Sequence, residues 1–86
     1  MYTVKLTKQA MKDREKIIQA GLGKRAKALI DLLGEDPYRS PPAYEKLIGD
    51  LKGFCSRRIN IQHRMVYQVD DESRTVKILR MWTHYE

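Results

Sequence analysis

The chain has 86 residues, of which 42% are hydrophobic and 33% charged, and its formal net charge is +6. The length predicts a single domain over residues 1–86 with a small core, and the hydrophobic fraction argues against a disordered tail. One cysteine excludes an intrachain disulfide and a thiolate zinc cluster. The 17 basic residues against 11 acidic ones favour a polyanionic partner, such as nucleic acid or an acidic protein, over a membrane surface.

The N-terminal half is predicted to hold one strand and two helices. YTVKL at 2–6 alternates and contains β-branched residues, as a short strand does, and Thr7 is placed to cap a following helix. GLG at 21–23 separates this helix from a second one over about 24–33, and Gly34 stands where a C-cap glycine would. These patterns predict an αα-hairpin.

The segment EDPYRSPPAYEKLIGD holds all three prolines of the chain and is predicted to be an ordered loop that excludes regular sheet. Three strand patterns follow Gly53: FCSRRINI, HRMVYQV and TVKILRMWTHY, with DDES at 70–73 as a hairpin turn. We therefore expect an α+β fold, with the N-terminal strand and a two-helix hairpin packed on a mainly antiparallel four-stranded sheet.

The N-terminal residues lack the apolar region of a signal peptide, and no apolar run is long enough to span a membrane. We therefore expect a cytoplasmic protein. The lone cysteine fits a reducing compartment.

Four features could carry chemistry: the basic stretch SRRINIQHR at 56–64, Glu45 in YEKL, Lys52 in LKGF, and the terminal THYE. On sheet strands, the basic stretch would form a positive patch suited to a phosphate backbone; an ordinary solvated sheet face is the alternative. The residues of this patch would be Arg57, Arg58, His63 and Arg64. Because neighbouring residues of a strand face opposite sides, His63 is interpreted as structural. The residues assigned to the core are Cys55, Met65, Tyr67, Leu79 and Trp82.

Taken in order along the chain, these segments resemble the YoeB/Txe branch of the RelE superfamily of bacterial toxins. The resemblance rests on Glu45, Leu47, LKGFCSRRI at 51–59, HRMVY at 63–67 and the terminal His84 and Tyr85. It implies a RelE-like fold and a ribosome-dependent mRNA endoribonuclease, held inactive by a cognate antitoxin. Two differences are Cys55, where close relatives have an aromatic residue, and Glu86, which extends past the terminal tyrosine.

The resemblance also implies roles for individual residues. Glu45 lies at the position of the general base, Arg64 at that of the phosphate-stabilising arginine and His84 at that of the general acid. Tyr85 matches the family's final tyrosine and would stack on a nucleobase. By their charge, Lys52 and Arg58 are candidates for contacts with phosphates, and a solvated face is the alternative for both. The structural alternative for Arg64 is a salt bridge across the sheet to an acid such as Asp70.

Metal-free RNA cleavage requires a base for the 2′-OH and an acid for the departing 5′-oxygen, and it yields a 2′,3′-cyclic phosphate. No metal site and no cofactor are expected, since no short-spaced set of carboxylate and histidine ligands is present. The expected partners are a cognate antitoxin, the ribosomal A site and mRNA; operator DNA, bound by the toxin–antitoxin complex, and a second copy of the chain remain open. The rival functions are a non-enzymatic ParE-like inhibitor of gyrase and a basic nucleic-acid-binding module.

Overall fold

The computed structural model describes residues 1–47 and 53–82. In this part of the chain two helices and five strands are present. They are β1 (Thr3–Leu6), α1 (Lys8–Gln19), α2 (Gly23–Glu35), β2 (Tyr44–Lys46), β3 (Phe54–Arg58), β4 (Arg64–Asp70) and β5 (Thr75–Arg80).

The strands form one sheet in the order β1-β5-β4-β3-β2. β1 pairs with β5 in parallel, and the other three pairs are antiparallel. The α+β class and the helix hairpin on a mainly antiparallel sheet are therefore confirmed, but the sheet has five strands rather than the expected four.

The additional strand is β2, which lies inside the proline-rich segment. The expectation that this segment excludes regular sheet is wrong for Tyr44–Lys46, which pair with Arg57, Ser56 and Cys55 of β3. All three prolines precede the strand, so no pairing position lacks its N–H group. A strand at the sheet edge also needs a partner on one side only.

The start of α1 agrees with the sequence pattern, whereas the end of α2 does not. The Oγ1 atom of Thr7 accepts a hydrogen bond from the amide of Ala10 at 3.1 Å, which confirms the predicted N-cap. Gly34 lies inside α2 and is not its C-cap. The amide of Asp36 still donates to Leu32 at 2.8 Å, and the helix stops only before Pro37, which has no N–H group.

Both helices pack on one face of the sheet and enclose the core between them and the strands. Side chains of both layers meet there, including Ala10, Ile17, Ala26, Leu33, Met65, Tyr67, Val76 and Ile78. Because side chains alternate along a strand, the residues between these positions point to the other face, which we call the open face. Lys5, Arg58 and Lys77 are exposed on it, whereas Ser56 and Val66 are buried. No helix in the part of the chain that the structure describes is long and apolar enough to cross a membrane.

Candidate active site

Glu45 and Arg64, far apart in sequence, form an ion pair. The Nη1 atom of Arg64 lies 3.2 Å from the Oε2 atom of Glu45. The arginine side chain is 18% exposed and the glutamate side chain 65% exposed, so the pair sits at the edge of the open face within reach of a ligand. Two residues predicted to be catalytic are thus brought together.

The pairing register of three strands produces this contact. Glu45 of β2 lies opposite Ser56 of β3, and Arg64 of β4 lies opposite Arg58 of β3. Ser56 and Arg58 are two residues apart in one strand, so all four side chains point to the same face. Glu45 and Arg64 lie on the two strands that flank β3, two strand spacings across the sheet and two residues along it. Their backbones are therefore roughly 12 Å apart, a gap that two long side chains span together.

Asp70, the structural alternative as a partner for Arg64, lies at the opposite end of β4. Six residue steps along a strand separate the two by about 20 Å. Its carboxylate instead accepts a hydrogen bond from the amide of Glu72 at 3.1 Å, within the β4–β5 turn that was predicted at 70–73.

Arg58 and Arg64 face each other directly across the β3–β4 pair. Arg58 is exposed. Like charges in directly opposed positions repel, and Glu45 supplies the adjacent negative charge. A phosphate group placed here would relieve the repulsion, because each guanidinium can donate two parallel hydrogen bonds to an anion.

Ser56 lies in the same cross-strand row as Glu45 and went unassigned from the sequence. It is 2% exposed, and its hydroxyl has no hydrogen-bond partner in the structure as described. A buried unsatisfied hydroxyl costs free energy, so it is a feature that needs a reason.

The positive patch predicted from four residues is smaller in the structure. Arg57 is 1% exposed and His63 is 3% exposed, so neither side chain is available to a phosphate backbone. The ring of His63 stacks on Trp82, with centroids 3.9 Å apart and an angle of 23° between the planes, in agreement with its structural interpretation. Arg57 alternates with Arg58 and so faces the helices.

The open face carries further basic residues that the sequence did not single out. Lys5 and Lys77 pair in the β1–β5 register, and Arg80 lies opposite Val66. All three basic residues are exposed. Lys5 and Lys77 reach the open face by alternation, and Arg80 reaches it through the register shift in the β4–β5 pair between Val66 and Tyr67. The three residues extend the positive charge across the sheet.

Asp13 of α1 is another residue without an assigned role from the sequence. Its buried carboxylate accepts hydrogen bonds from the amides of Met81 at 3.1 Å and Trp82 at 3.3 Å. The chain is therefore held two residues before His84. The sequence does contain a signal for its burial: Asp13 follows Ala10 by three positions and precedes Ile17 by four, so it lies on the buried face of α1.

Cys55 lies in the core, as expected from the sequence, and is 8% exposed. Burial raises the pKa of its thiol, although Lys46 and Arg57 act in the opposite direction. A thiol of this kind is a weak nucleophile at neutral pH. We assign it no chemistry.

Lys52, His84 and Tyr85, as well as Glu86, lie outside the residues that the structure describes. Their roles therefore remain predictions. Within residues 1–47 and 53–82, no group of histidine, cysteine or acidic side chains is arranged to hold a metal ion.

The fold and the site define a small α+β protein: a two-helix hairpin on a mixed sheet, with an ion-paired glutamate and arginine on a basic face. The family model of the ParE toxin of the type II toxin–antitoxin system parDE matches residues 4–86. The chain belongs to this family of toxins.

Within the family, the similar proteins include YoeB toxins, which confirms the resemblance. The chain is 38% identical over 63 residues to the toxin YoeB of Synechocystis, covering 73% of this chain and 71% of that protein. It superposes on the YoeB/ParE toxin of Agrobacterium tumefaciens with a TM-score of 0.85, at 27% identity, covering 96% of this chain and 99% of the other. The YoeB–YefM toxin–antitoxin complex of Staphylococcus aureus gives a TM-score of 0.81 at 31% identity, with 99% of each chain covered.

Proposed function

We propose that this toxin is a ribosome-dependent mRNA endoribonuclease that blocks translation by metal-independent acid–base cleavage. The observation that carries the proposal is the Glu45–Arg64 ion pair on the open face, with Arg58 directly opposite Arg64. A carboxylate and two guanidinium groups on one accessible surface supply a proton acceptor beside a phosphate-binding pair. A pure binding module would not need the carboxylate there.

The reaction begins with the ribose 2′-OH next to the scissile phosphate. Glu45 accepts its proton, and the 2′-oxygen forms a bond to phosphorus while the bond to the 5′-oxygen breaks. Arg64 stabilises the negative charge that develops on the phosphoryl oxygens. His84 donates a proton to the departing 5′-oxygen, so the products are a 2′,3′-cyclic phosphate and a free 5′-OH.

The ion pair has to open for this chemistry to proceed. In the structure, Glu45 occupies a donor of Arg64 that a phosphate would use. Substrate binding would exchange the carboxylate for phosphoryl oxygens and release Glu45 toward the 2′-OH. Arg58 and Lys52 would bind neighbouring phosphates, and Tyr85 would stack on a base, a contact worth about 1–3 kcal/mol.

The partners follow from the same proposal. A cognate antitoxin would inhibit the toxin, as the YoeB–YefM complex of Staphylococcus aureus suggests by similarity. A YoeB dimer from the same species, which is 30% identical to this chain with a TM-score of 0.78 and 98% of each chain covered, keeps a homodimer open. The ribosomal A site with its mRNA, and operator DNA for the toxin–antitoxin complex, complete the set. We place the activity in the cytoplasm, where translation occurs.

Primer extension on a translated mRNA, with and without ribosomes, tests the proposal. We expect cuts only when ribosomes translate the message, and none with folded His84→Gln protein. The rival function is inhibition of gyrase, which stays open because the matching family model is that of the ParE toxin. Growth inhibition without RNA cleavage, together with loss of DNA supercoiling by gyrase, would replace the endoribonuclease by that rival.

A further inference from the structure

Arg57 is a buried cation whose four hydrogen bonds all go to neutral oxygens. Its Nε atom donates to the hydroxyl of Tyr67 at 3.0 Å. Its Nη2 atom donates to the carbonyls of Pro37 at 2.9 Å and Arg39 at 2.8 Å, and its Nη1 atom donates to the carbonyl of Pro42. A guanidinium stays charged at any pH that the folded protein tolerates, so burial of this charge is costly unless its donors are satisfied.

The three carbonyls belong to the proline-rich segment that leads directly into β2. Prolines have no N–H group, so this segment forms few backbone hydrogen bonds of its own. The carbonyls of this segment accept hydrogen bonds from the planar guanidinium of Arg57, whose five donors have a fixed geometry. A single side chain of β3 thereby fixes the backbone path of residues 37–42.

The same guanidinium also contacts the strand that carries Glu45. Tyr44 pairs with Arg57 in the β2–β3 register, and the guanidinium carbon lies 4.8 Å from the centre of the tyrosine ring. Glu45 is the next residue and points to the opposite, open face. β2 has three residues and pairs with β3 alone in the described part of the chain, so the contact of Arg57 with Tyr44 adds to a short ladder.

We propose that Arg57 is a positioning residue for the active site: it holds the proline-rich segment and β2 so that Glu45 faces Arg64 and the RNA. This inference rests on the proposed endoribonuclease function. Arg57 acts through β2 and does not touch the substrate. A misplacement of about 1 Å at a reacting group can reduce a rate about 100-fold, so loss of this support affects catalysis even in a folded protein.

The test is a double-mutant cycle with Arg57→Lys and Glu45→Ala, measured as single-turnover cleavage of translated mRNA. Lysine keeps the charge but lacks the planar fork, so Arg57→Lys is expected to reduce the rate about 10- to 100-fold, though by no more than Glu45→Ala does. In the Glu45→Ala background the same substitution is expected to change the rate less than about twofold, since the group being positioned is absent. Equal losses in both backgrounds would overturn the proposal.

The matched control is Arg14→Lys, the same substitution at an exposed position of α1, where no change is expected. Amide hydrogen exchange gives a readout independent of cleavage. The amide of Leu47, which donates to the carbonyl of Phe54 at 2.9 Å, is expected to exchange faster in Arg57→Lys than in Arg14→Lys. Unchanged exchange at Leu47 in folded Arg57→Lys protein would contradict the proposal.

Tyr67→Phe serves if Arg57→Lys does not fold, because it removes only the hydroxyl that accepts from Nε. We expect Tyr67→Phe to reduce the cleavage rate a few-fold in the wild-type background and to leave it unchanged in the Glu45→Ala background. An unchanged rate in the wild-type background, or equal reductions in both backgrounds, would overturn the proposal. If the wild-type protein itself cuts no RNA under any condition, the endoribonuclease function fails instead. The two failures are therefore distinguishable.

Discussion

At the scale of the residue, Arg64 is the side chain on which the proposed chemistry depends most. Arg64→Ala removes the guanidinium that would stabilise the phosphoryl oxygens, and His84→Gln removes the proposed acid. Each substitution is expected to abolish growth inhibition and mRNA cleavage with the fold intact, because transition-state groups affect rate and not packing. Primer extension measures cleavage and circular dichroism verifies folding. Near wild-type cleavage by folded Arg64→Ala protein would show that the arginine has no catalytic role.

Glu45 is expected to contribute less than His84. Its side chain is 65% exposed, so water or a ribosomal group can replace it as proton acceptor. Glu45→Ala should therefore slow single-turnover cleavage by a smaller factor than His84→Gln does. The reverse ranking, measured on protein preparations of matched folded fraction, would refute this order.

Asp71 connects the β4–β5 turn to two distant tyrosines. Its carboxylate accepts hydrogen bonds from the hydroxyls of Tyr2 and Tyr38, both at 2.7 Å, and these bonds hold the pKa of Asp71 below 3.8. A carboxyl group whose pKa is lower in the folded state stabilises the fold above its unfolded pKa and loses that effect as the pH falls. We expect thermal unfolding to show that Asp71→Asn lowers stability at neutral pH, with the difference from wild type shrinking below pH 3.8.

Glu72→Gln in the same exposed turn is the matched control, because this side chain forms no such bonds to tyrosine. The difference in thermal stability between Glu72→Gln and wild type should not shrink as the pH falls, in contrast to the difference expected for Asp71→Asn. A pH-independent effect of Asp71→Asn would mean that the two tyrosine bonds do not favour the charged carboxylate.

At the scale of the element, α1 anchors the end of β5 through Asp13. Asp13→Ala would leave the amides of Met81 and Trp82 without their acceptor, and a buried unsatisfied donor costs about 1–3 kcal/mol. We expect a loss of stability of that size in denaturant unfolding. Asp13→Asn keeps an acceptor oxygen and should lose less stability.

The same anchor is expected to affect cleavage. The cleavage rate of Asp13→Ala should fall by more than its unfolded fraction explains, because His84 follows the anchored residues by two positions.

Equal stability of the alanine and asparagine variants would mean that packing, and not the two hydrogen bonds, is what Asp13 supplies. Unchanged cleavage by folded Asp13→Ala protein would show that this anchor does not affect the active site. The two measurements thus distinguish an anchoring role from a catalytic consequence.

At the scale of the whole molecule, the net charge of +6 predicts binding that depends on ionic strength. Phosphate contacts release counterions, so the affinity for RNA or ribosomes should fall steeply with salt, and the slope should be smaller for Arg58→Ala and Lys52→Ala. Arg14→Ala is the control: this exposed residue lies on α1, which packs on the opposite face of the sheet, so the slope should stay unchanged. A flat salt response of the wild-type protein would indicate apolar docking on a protein partner instead.

Much of the fold is local and could be predicted from the sequence. Helical spacing and Thr7 locate α1, and DDES locates the β4–β5 turn, because these signals involve residues that are neighbours in the chain. β2 could not be predicted, since its three residues become a strand only when β3 lies beside them. The prolines before it predicted a loop, whereas pairing with β3 in the tertiary structure stabilises a strand.

The residues of the candidate site divide in the same way. The resemblance to the toxin family selected Glu45 and Arg64, and a carboxylate base with a phosphate-stabilising guanidinium suits RNA cleavage. The sheet register decided that they touch and that Arg57 turns inward while Arg58 stays exposed. The packing of α1 on the sheet decided that Asp13 reaches the end of β5. The physical reason is that a charged residue's role depends on which face of its strand or helix is covered, and only the packing of distant elements determines that.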